Sequence, residues 1–146
     1  MSVTVDANVL LYASNSDDPL HLNARELLER LAGGPSLFYL FWPTIMGFLR
    51  IGTHPAIFPD PLTPARAMAT VAKLLERPNV RTEGEGARFW GIYRQVAGED
   101  TRGNHVPDAH LVALMRSHGI ATIYTRDRDF RRYEGITVRD PFAPRH

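Results

Sequence analysis

Short apolar runs alternate along this chain with segments whose apolar residues recur at helical spacing. The short runs predict strands, at Val3–Val5, Leu37–Trp42, around Val80, Ile120–Thr125 and Ile136–Val138. The segments between them predict helices, at Ala7–Ser14, Asp18–Leu31, Thr44–Ile51, Thr63–Glu76, Phe89–Ala97 and Pro107–His118. Because strands that alternate with helices are typical of α/β proteins, we predict a three-layer α/β/α fold with a mainly parallel central sheet of four to five strands.

Polar residues followed by proline suggest where the helices begin. Asp18 and Thr63 each precede a proline and are predicted to cap a helix whose first residue is that proline. Pro107 is likewise predicted to open the helix that carries Asp108. The large aromatic residues between and within these helices are interpreted as core rather than base-stacking residues: Trp42, Phe48, Trp90 and Tyr93.

Composition narrows the class of protein. The 146 residues show no linker or repeat, which predicts a single domain over residues 1–146. The absence of cysteine excludes disulfides, thiolate metal ligands and cysteine nucleophiles. No apolar run approaches the roughly 20 residues that a membrane span requires, and the first residues do not resemble a signal peptide. A cytoplasmic protein without membrane contact is therefore expected.

The basic residues are unevenly distributed, although the net charge is only +1. All of them except Lys73 are arginines, whose planar guanidinium binds phosphate through two parallel hydrogen bonds. Genomic base composition also explains such a bias. Four arginines crowd one short segment and are candidate phosphate contacts: Arg126, Arg128, Arg131 and Arg132.

Carboxylates from distant parts of the chain are predicted to meet at one edge of the sheet. Asp6 and Asp127 each follow a predicted strand, and ligands of open parallel sheets bind beyond the carboxyl ends of the strands. Asp108 lies in the first turn of a helix that leads into the Ile120–Thr125 strand. Since such a helix runs antiparallel to the strand, its first turn returns to the same edge.

Convergent carboxylates repel one another, and a bound cation removes that cost. Oxygen ligands without cysteine or a histidine pair favour Mg²⁺, with Mn²⁺ as a second possibility. Taken singly, each acid also has an ordinary structural explanation. Asp6 suits a turn or cap, Asp108 compensates the helix dipole, and Asp127 and Asp129 suit loop acids paired with arginines.

Four segments, in order along almost the whole chain, resemble the PIN domain family and in particular its VapC-type toxin ribonucleases. The segments that carry the resemblance are Val5–Ala13, Phe48–Arg50, Pro107–Leu114 and Thr125–Phe130. The resemblance implies a PIN-like fold and an endoribonuclease that hydrolyses phosphodiester bonds in RNA with Mg²⁺. It also implies a toxin of a type II toxin–antitoxin pair, a VapB-like antitoxin as partner, and a homodimer.

The same resemblance implies roles for individual residues. Asp6 and Asp108 are the leading metal ligands, Asp127 is a third ligand or a water-orienting group, and Asp129 is a further catalytic candidate. Asn8 and Thr125 are expected to position the acids by hydrogen bonds, although simple turn bonding explains them equally well; these two residues complete the predicted site.

One position departs from the family pattern. Members of the family commonly carry a glutamate on the helix after the second strand, where this chain has Gly47. Water or Asp129 then completes the coordination, or the metal binds more weakly with activity retained, or the domain chiefly binds RNA or antitoxin. A phosphatase with an aspartyl nucleophile is a further alternative. Such enzymes carry a second acid two residues after the nucleophile, and this chain has Asn8 at that place after Asp6.

Overall fold

The structure is a computed structural model and describes residues 1–142. The strands are β1 (Ser2–Val5), β2 (Leu37–Phe41), β3 (Val80–Glu83), β4 (Thr122–Tyr124) and β5 (Thr137–Arg139). The α-helices are α1 (Ala7–Ser14), α2 (His21–Ala32), α3 (Trp42–Gly52), α4 (Pro64–Leu75), α5 (Phe89–Ala97) and α6 (His105–Ser117), and a short 3₁₀ helix spans Arg128–Arg132.

The five strands form one sheet in the order β3-β2-β1-β4-β5, and every neighbouring pair is parallel. β1 is therefore the central strand, with β4 beside it. Parallel strands end at the same edge, so the segments after β1, β2 and β4 all emerge there. This arrangement confirms the predicted α/β/α class and the strand number.

Helices cover both faces of the sheet, and each face has its own apolar cluster. One cluster joins β1 and β2 to α1, α2, α3 and α4 and includes the fully buried Phe38 and Phe48. The other joins β4 to α6 and includes the fully buried Leu114 and Ile123. The two clusters fix α1, α3 and α6 against the sheet, and the first turns of these helices border its carboxyl edge.

Two of the three helix starts predicted from a proline are wrong. The Thr63 cap is confirmed, because its hydroxyl accepts from the Arg66 N–H at 3.2 Å. Asp18 instead closes a turn by accepting from the Leu20 N–H at 2.8 Å, and α2 begins only at His21. The last long helix begins at His105, so Pro107 is its third residue. Helix N–H groups in the first turn have no carbonyl partner within the helix, so proline is tolerated throughout that turn.

The interpretation of the aromatic residues as core is right for only part of the set. Phe48 is buried and Tyr93 packs at the edge of the second cluster. Trp42 begins α3 rather than ending β2, and 42% of it is exposed. Trp90 is 66% exposed. No helix within residues 1–142 is long and apolar enough to cross a membrane.

Candidate metal centre

Asp6 is held at the carboxyl end of β1, where the chain turns directly into α1. Its Oδ1 accepts from the Val9 N–H at 3.3 Å and caps the helix. Its own backbone N–H donates to the Tyr124 carbonyl of β4 at 3.4 Å. The position of Asp6 is therefore set by the central strand, its neighbour and the first turn of α1.

Thr125 joins two of the predicted acids. The parallel register pairs Val5 with Tyr124, so the next residues, Asp6 and Thr125, lie side by side. The hydroxyl of the fully buried Thr125 donates to Oδ2 of Asp6 and accepts from the Asp127 N–H at 2.9 Å. One hydroxyl thus fixes both the Asp6 carboxylate and the loop that carries Asp127.

Three of the predicted acids line one cleft of about 280 Å³. They are Asp6 after β1, Asp108 in the first turn of α6, and Asp127 after β4. Cavities of greater volume lie elsewhere, including one of about 460 Å³ between α1, α2 and α4, but none of the predicted acids lines it. Chemistry rather than size therefore singles out the acidic cleft.

Asp129 lies on the outer side of this group, beside a histidine that the sequence reasoning missed. Ligating atoms of His105, Asp108 and Asp129 all lie within 4.8 Å of one another. Asp129 does not line the cleft itself, and its backbone N–H donates to Oδ1 of Asp127 at 2.9 Å. Asp108 consequently belongs both to the cleft and to this outer group.

Burial and mutual repulsion disfavour the ionised acids. Burial raises the pKa of Asp108 to about 6, and the charges of Asp127, Asp129 and Asp6 add to the effect while nearby His105 opposes it. Burial also raises the pKa of Asp6, against the hydrogen bonds from Thr125 and from the backbone N–H groups of Val9 and Asn8. Asp6 and Asp108 thus line one cleft although their negative charges oppose it. The ligating atoms of Asp6, Asp108 and Asp127 do not all lie within 4.8 Å of one another, whereas among the described residues those of His105, Asp108 and Asp129 do.

The residues present fit a hard divalent cation. Carboxylate oxygens supply most of the donors, His105 is the one nitrogen donor in the outer group, and the chain has no thiolate. A cation at this place would reverse the unfavourable electrostatics of Asp6 and Asp108. This donor set suits Mg²⁺ or Mn²⁺ better than a soft metal ion.

The other predicted site residues lie around the cleft rather than within it, with one exception. Asn8 lines the cleft but is exposed. The four clustered arginines are all exposed and none of them lines the cleft: Arg126, Arg128, Arg131 and Arg132. Arg132 donates to Nδ1 of His105 at 3.2 Å. The arginine that does line the cleft is Arg50 of α3, which the sequence reasoning did not select.

Gly47 lies on the wall of the cleft that α3 forms. A Cβ atom built there would meet only the Cβ of Ala7, at 3.8 Å, which is ordinary van der Waals contact. The backbone at this position therefore accepts a side chain. The cleft lacks a carboxylate on this wall because of the residue type, not because of the fold.

The model of the PIN domain family matches residues 3–136. The chain belongs to the PIN domain family. Among proteins similar to this PIN domain is Ribonuclease VapC48 of Mycobacterium tuberculosis, which is 51% identical over 144 residues, 98% of this chain and 99% of the relative. The resemblance to VapC-type PIN domains that the sequence motifs indicated is thereby confirmed.

Two solved structures share the fold at low sequence identity. VapC20 of Mycobacterium tuberculosis, described as a sarcin–ricin loop cleaving toxin, matches with a TM-score of 0.65 and 23% identity, over 89% of this chain and 93% of that one. VapBC2 of Rickettsia felis, solved with a DNA fragment from its promoter, matches with a TM-score of 0.67 and 15% identity, over 94% and 97%. At such identities these structures support the PIN fold alone.

We expect Thr125→Val to weaken metal binding by this PIN domain about 10- to 100-fold, the usual cost of losing a group that orients a ligand. The valine keeps the buried shape but removes the hydrogen bonds to Asp6 and from Asp127. The readout is the Mn²⁺ concentration at the midpoint of the metal-induced rise in Tm. Thr122→Val, the same change at a buried threonine of β4, serves as the control; equal midpoints for both variants would contradict the role of Thr125.

We expect Asp108→Asn to stabilise the metal-free PIN domain at pH 7.5 by about 1 kcal/mol, allowing for solvent screening of a partly exposed group. The folded pKa of about 6 lies above the ordinary value of 3.8, so folding favours the protonated acid. Wild-type stability therefore falls as the pH rises from about 4 to about 6, and the deficit is complete above that range. Urea unfolding in EDTA measures the difference, which should shrink towards zero near pH 4; a variant less stable than wild type at pH 7.5 would refute the electrostatic cost.

Proposed function

We propose that this chain, a single PIN domain over residues 1–146, is a divalent-metal-dependent endoribonuclease and the toxin component of a type II toxin–antitoxin pair. The observation that carries the proposal is the meeting of Asp6, Asp108 and Asp127 in one cleft at the carboxyl edge of the sheet. The 51% identity to a VapC ribonuclease supports RNA as the substrate.

In this proposal Asp6 and Asp108 are the leading ligands of a Mg²⁺ ion, which Mn²⁺ can replace. Asp127 is a third ligand or orients the attacking water, and Asp129 with His105 forms the outer group beside Asp108. When bound, the ion lowers the pKa of a water molecule and neutralises charge that develops on the phosphate.

The protein residues bind and orient the reactants. A water oxygen forms a bond to phosphorus while one ester P–O bond of the RNA breaks, and the leaving oxygen is protonated. The Thr125 hydroxyl keeps Asp6 and Asp127 in a fixed relative position during this exchange. The clustered arginines outside the cleft contact flanking phosphates of the RNA backbone, and these are Arg126, Arg128, Arg131 and Arg132.

The partners that we propose are a VapB-like antitoxin and a second copy of the chain. The similar VapBC2 structure contains such a pair, which makes the antitoxin the expected regulator. Exposed apolar side chains support a protein interface: Trp42, Met46, Trp90 and Val106 lie on α3, α5 and α6. Light scattering of the purified chain, alone and co-expressed with an antitoxin, distinguishes monomer, homodimer and complex.

The test of the proposed activity uses a structured RNA and a phosphomonoester, each with Mg²⁺ or with EDTA. We expect internal cleavage of the RNA that requires Mg²⁺ and no release of phosphate from the monoester. Phosphate release would favour the phosphatase alternative. RNA left intact by folded protein in the presence of Mg²⁺ and Mn²⁺ would contradict the endoribonuclease.

A catalytically weakened domain that acts as an RNA- or antitoxin-binding module is the second candidate. Its support is Gly47, which leaves the α3 wall of the cleft without a carboxylate. This candidate predicts that RNA binds with unchanged affinity in EDTA and is not cut in Mg²⁺. Cleavage by the wild-type chain would exclude it.

A further inference from the structure

The acidic cleft contains a positive charge that the proposed metal site does not explain. Of the described residues that line it, Arg50 is the only arginine or lysine. The other arginines near the acids lie outside the cleft, and Arg132 already donates to His105. Among the described residues, Arg50 is thus the arginine that shares the cleft with Asp6, Asp108 and Asp127.

The fold holds the backbone of Arg50 firmly. It lies in the last turn of α3, beside the fully buried Phe48 and three residues after Gly47, so Arg50 and Gly47 share one face of the helix. That face packs against α1, whose first residue Ala7 lies 3.8 Å from a Cβ built on Gly47. The arginine therefore lines the cleft from α3, next to the helix that Asp6 caps.

The guanidinium of Arg50 has no polar partner in the described part of the chain. Within residues 1–142 its guanidinium takes part in no hydrogen bond or ion pair, and the residue is exposed. An arginine that contributes to folding is usually paired or stacked. With glycine at position 47, no carboxylate on the same helix face competes for its donors.

We propose that Arg50 is a substrate-binding residue whose guanidinium donates two hydrogen bonds to non-bridging oxygens of the RNA phosphate seated at the acidic cleft. The inference rests on the proposed endoribonuclease function and adds a binding group to it. A planar, permanently charged fork matches two phosphate oxygens and offsets the repulsion between the substrate and the aspartates. The α3 wall of this PIN domain then contributes a phosphate-binding group one helical turn from Gly47.

The test compares Arg50→Gln and Arg50→Lys with Arg30→Gln. Arg30 is the matched control because it is likewise an exposed arginine in the last turn of a helix, α2. For a short RNA we expect kcat/KM to fall about 10- to 100-fold in Arg50→Gln, to recover in part in Arg50→Lys, and to be unchanged in Arg30→Gln. The negative slope of log kcat/KM against log salt should become shallower by about 0.7 to 1 in Arg50→Gln only.

A second readout separates Arg50 from the metal site. Mn²⁺ should raise the Tm of Arg50→Gln at least as much as that of wild type, because the variant removes a positive charge near the ion. The role of Arg50 would be overturned if the wild-type chain cleaves RNA and the kcat/KM of Arg50→Gln lies within twofold of the wild-type value, or if its salt slope is unchanged. The proposed function would still stand in that case. Failure of the wild-type chain to cleave any RNA would overturn both.

Discussion

Asp108→Asn and Asp6→Asn are each expected to reduce metal-dependent RNA cleavage roughly 100-fold or more, because each removes a charged oxygen from the proposed metal site, whose ion would activate water. The substitutions keep the size of the side chain. Asparagine also caps helices well, so α1 retains its N-cap in Asp6→Asn. The measurement is the single-turnover rate on one RNA at saturating Mg²⁺.

Asp60→Asn is the control for these variants, since Asp60 is exposed and does not line the acidic cleft. It should cleave at the wild-type rate. Circular dichroism and Tm in EDTA establish that each variant is folded. Folded Asp6→Asn or Asp108→Asn that retains more than a tenth of the wild-type rate would contradict the assignment of that residue as a ligand.

Gly47→Glu is expected to lower the Mg²⁺ concentration for half-maximal cleavage about tenfold, because affinity for such cations rises with the number of charged oxygen ligands. The position lines the cleft and accepts a Cβ atom without a close contact. Glutamate is also a better helix former than glycine by up to about 1 kcal/mol. The new side chain thus adds a carboxylate to this wall, and its Cβ atom makes only an ordinary van der Waals contact.

Gly91→Glu separates the ligand effect from the helix effect. Gly91 is an exposed helical glycine of α5, and a Cβ there meets nothing within 4 Å. It should gain stability as Gly47→Glu does but require the same Mg²⁺ concentration as wild type. Identical Mg²⁺ dependence in Gly47→Glu and Gly91→Glu would show that position 47 does not face the bound ion.

The convergence of the acids was predictable because it depends on chain direction more than on detail. β1 and β4 are parallel neighbours, so the residues that follow them, Asp6 and Thr125, must lie together. The helix that precedes β4 must begin at the same edge, which brings Asp108 there. Errors of a residue or two in element boundaries do not change this result.

The sequence does not reveal His105, because proline at the start of a helix predicts that α6 begins at Pro107. Proline has no N–H, but the first-turn N–H groups of any helix lack a helical partner, so proline does not mark a unique position. Two further residues join α6, and His105 is carried to Asp108 and Asp129. Pro107 does indicate the first turn of a helix, but it is compatible with a helix that begins at Pro107 and with one that begins two residues earlier.

Arg50 and the exposed tryptophans required three-dimensional information. Trp42 and Trp90 follow the same apolar pattern as buried residues, and a hydrophobic period does not distinguish a core from an interface between chains. The cluster of arginines after β4 is apparent from its density in the sequence. Which arginine enters the cleft depends on the rotation of α3 about its axis, and that rotation is set by the burial of Ile45 and Phe48.

Titration calorimetry of Mn²⁺ into the metal-free chain tests most directly whether Asp6, Asp108 and Asp127 bind a divalent ion. We predict saturable binding to wild type, the same binding to Asp60→Asn, and its loss in the double variant Asp6→Asn/Asp108→Asn. Indistinguishable isotherms for wild type and the folded double variant would contradict the account, because the ion would then bind elsewhere or not at all.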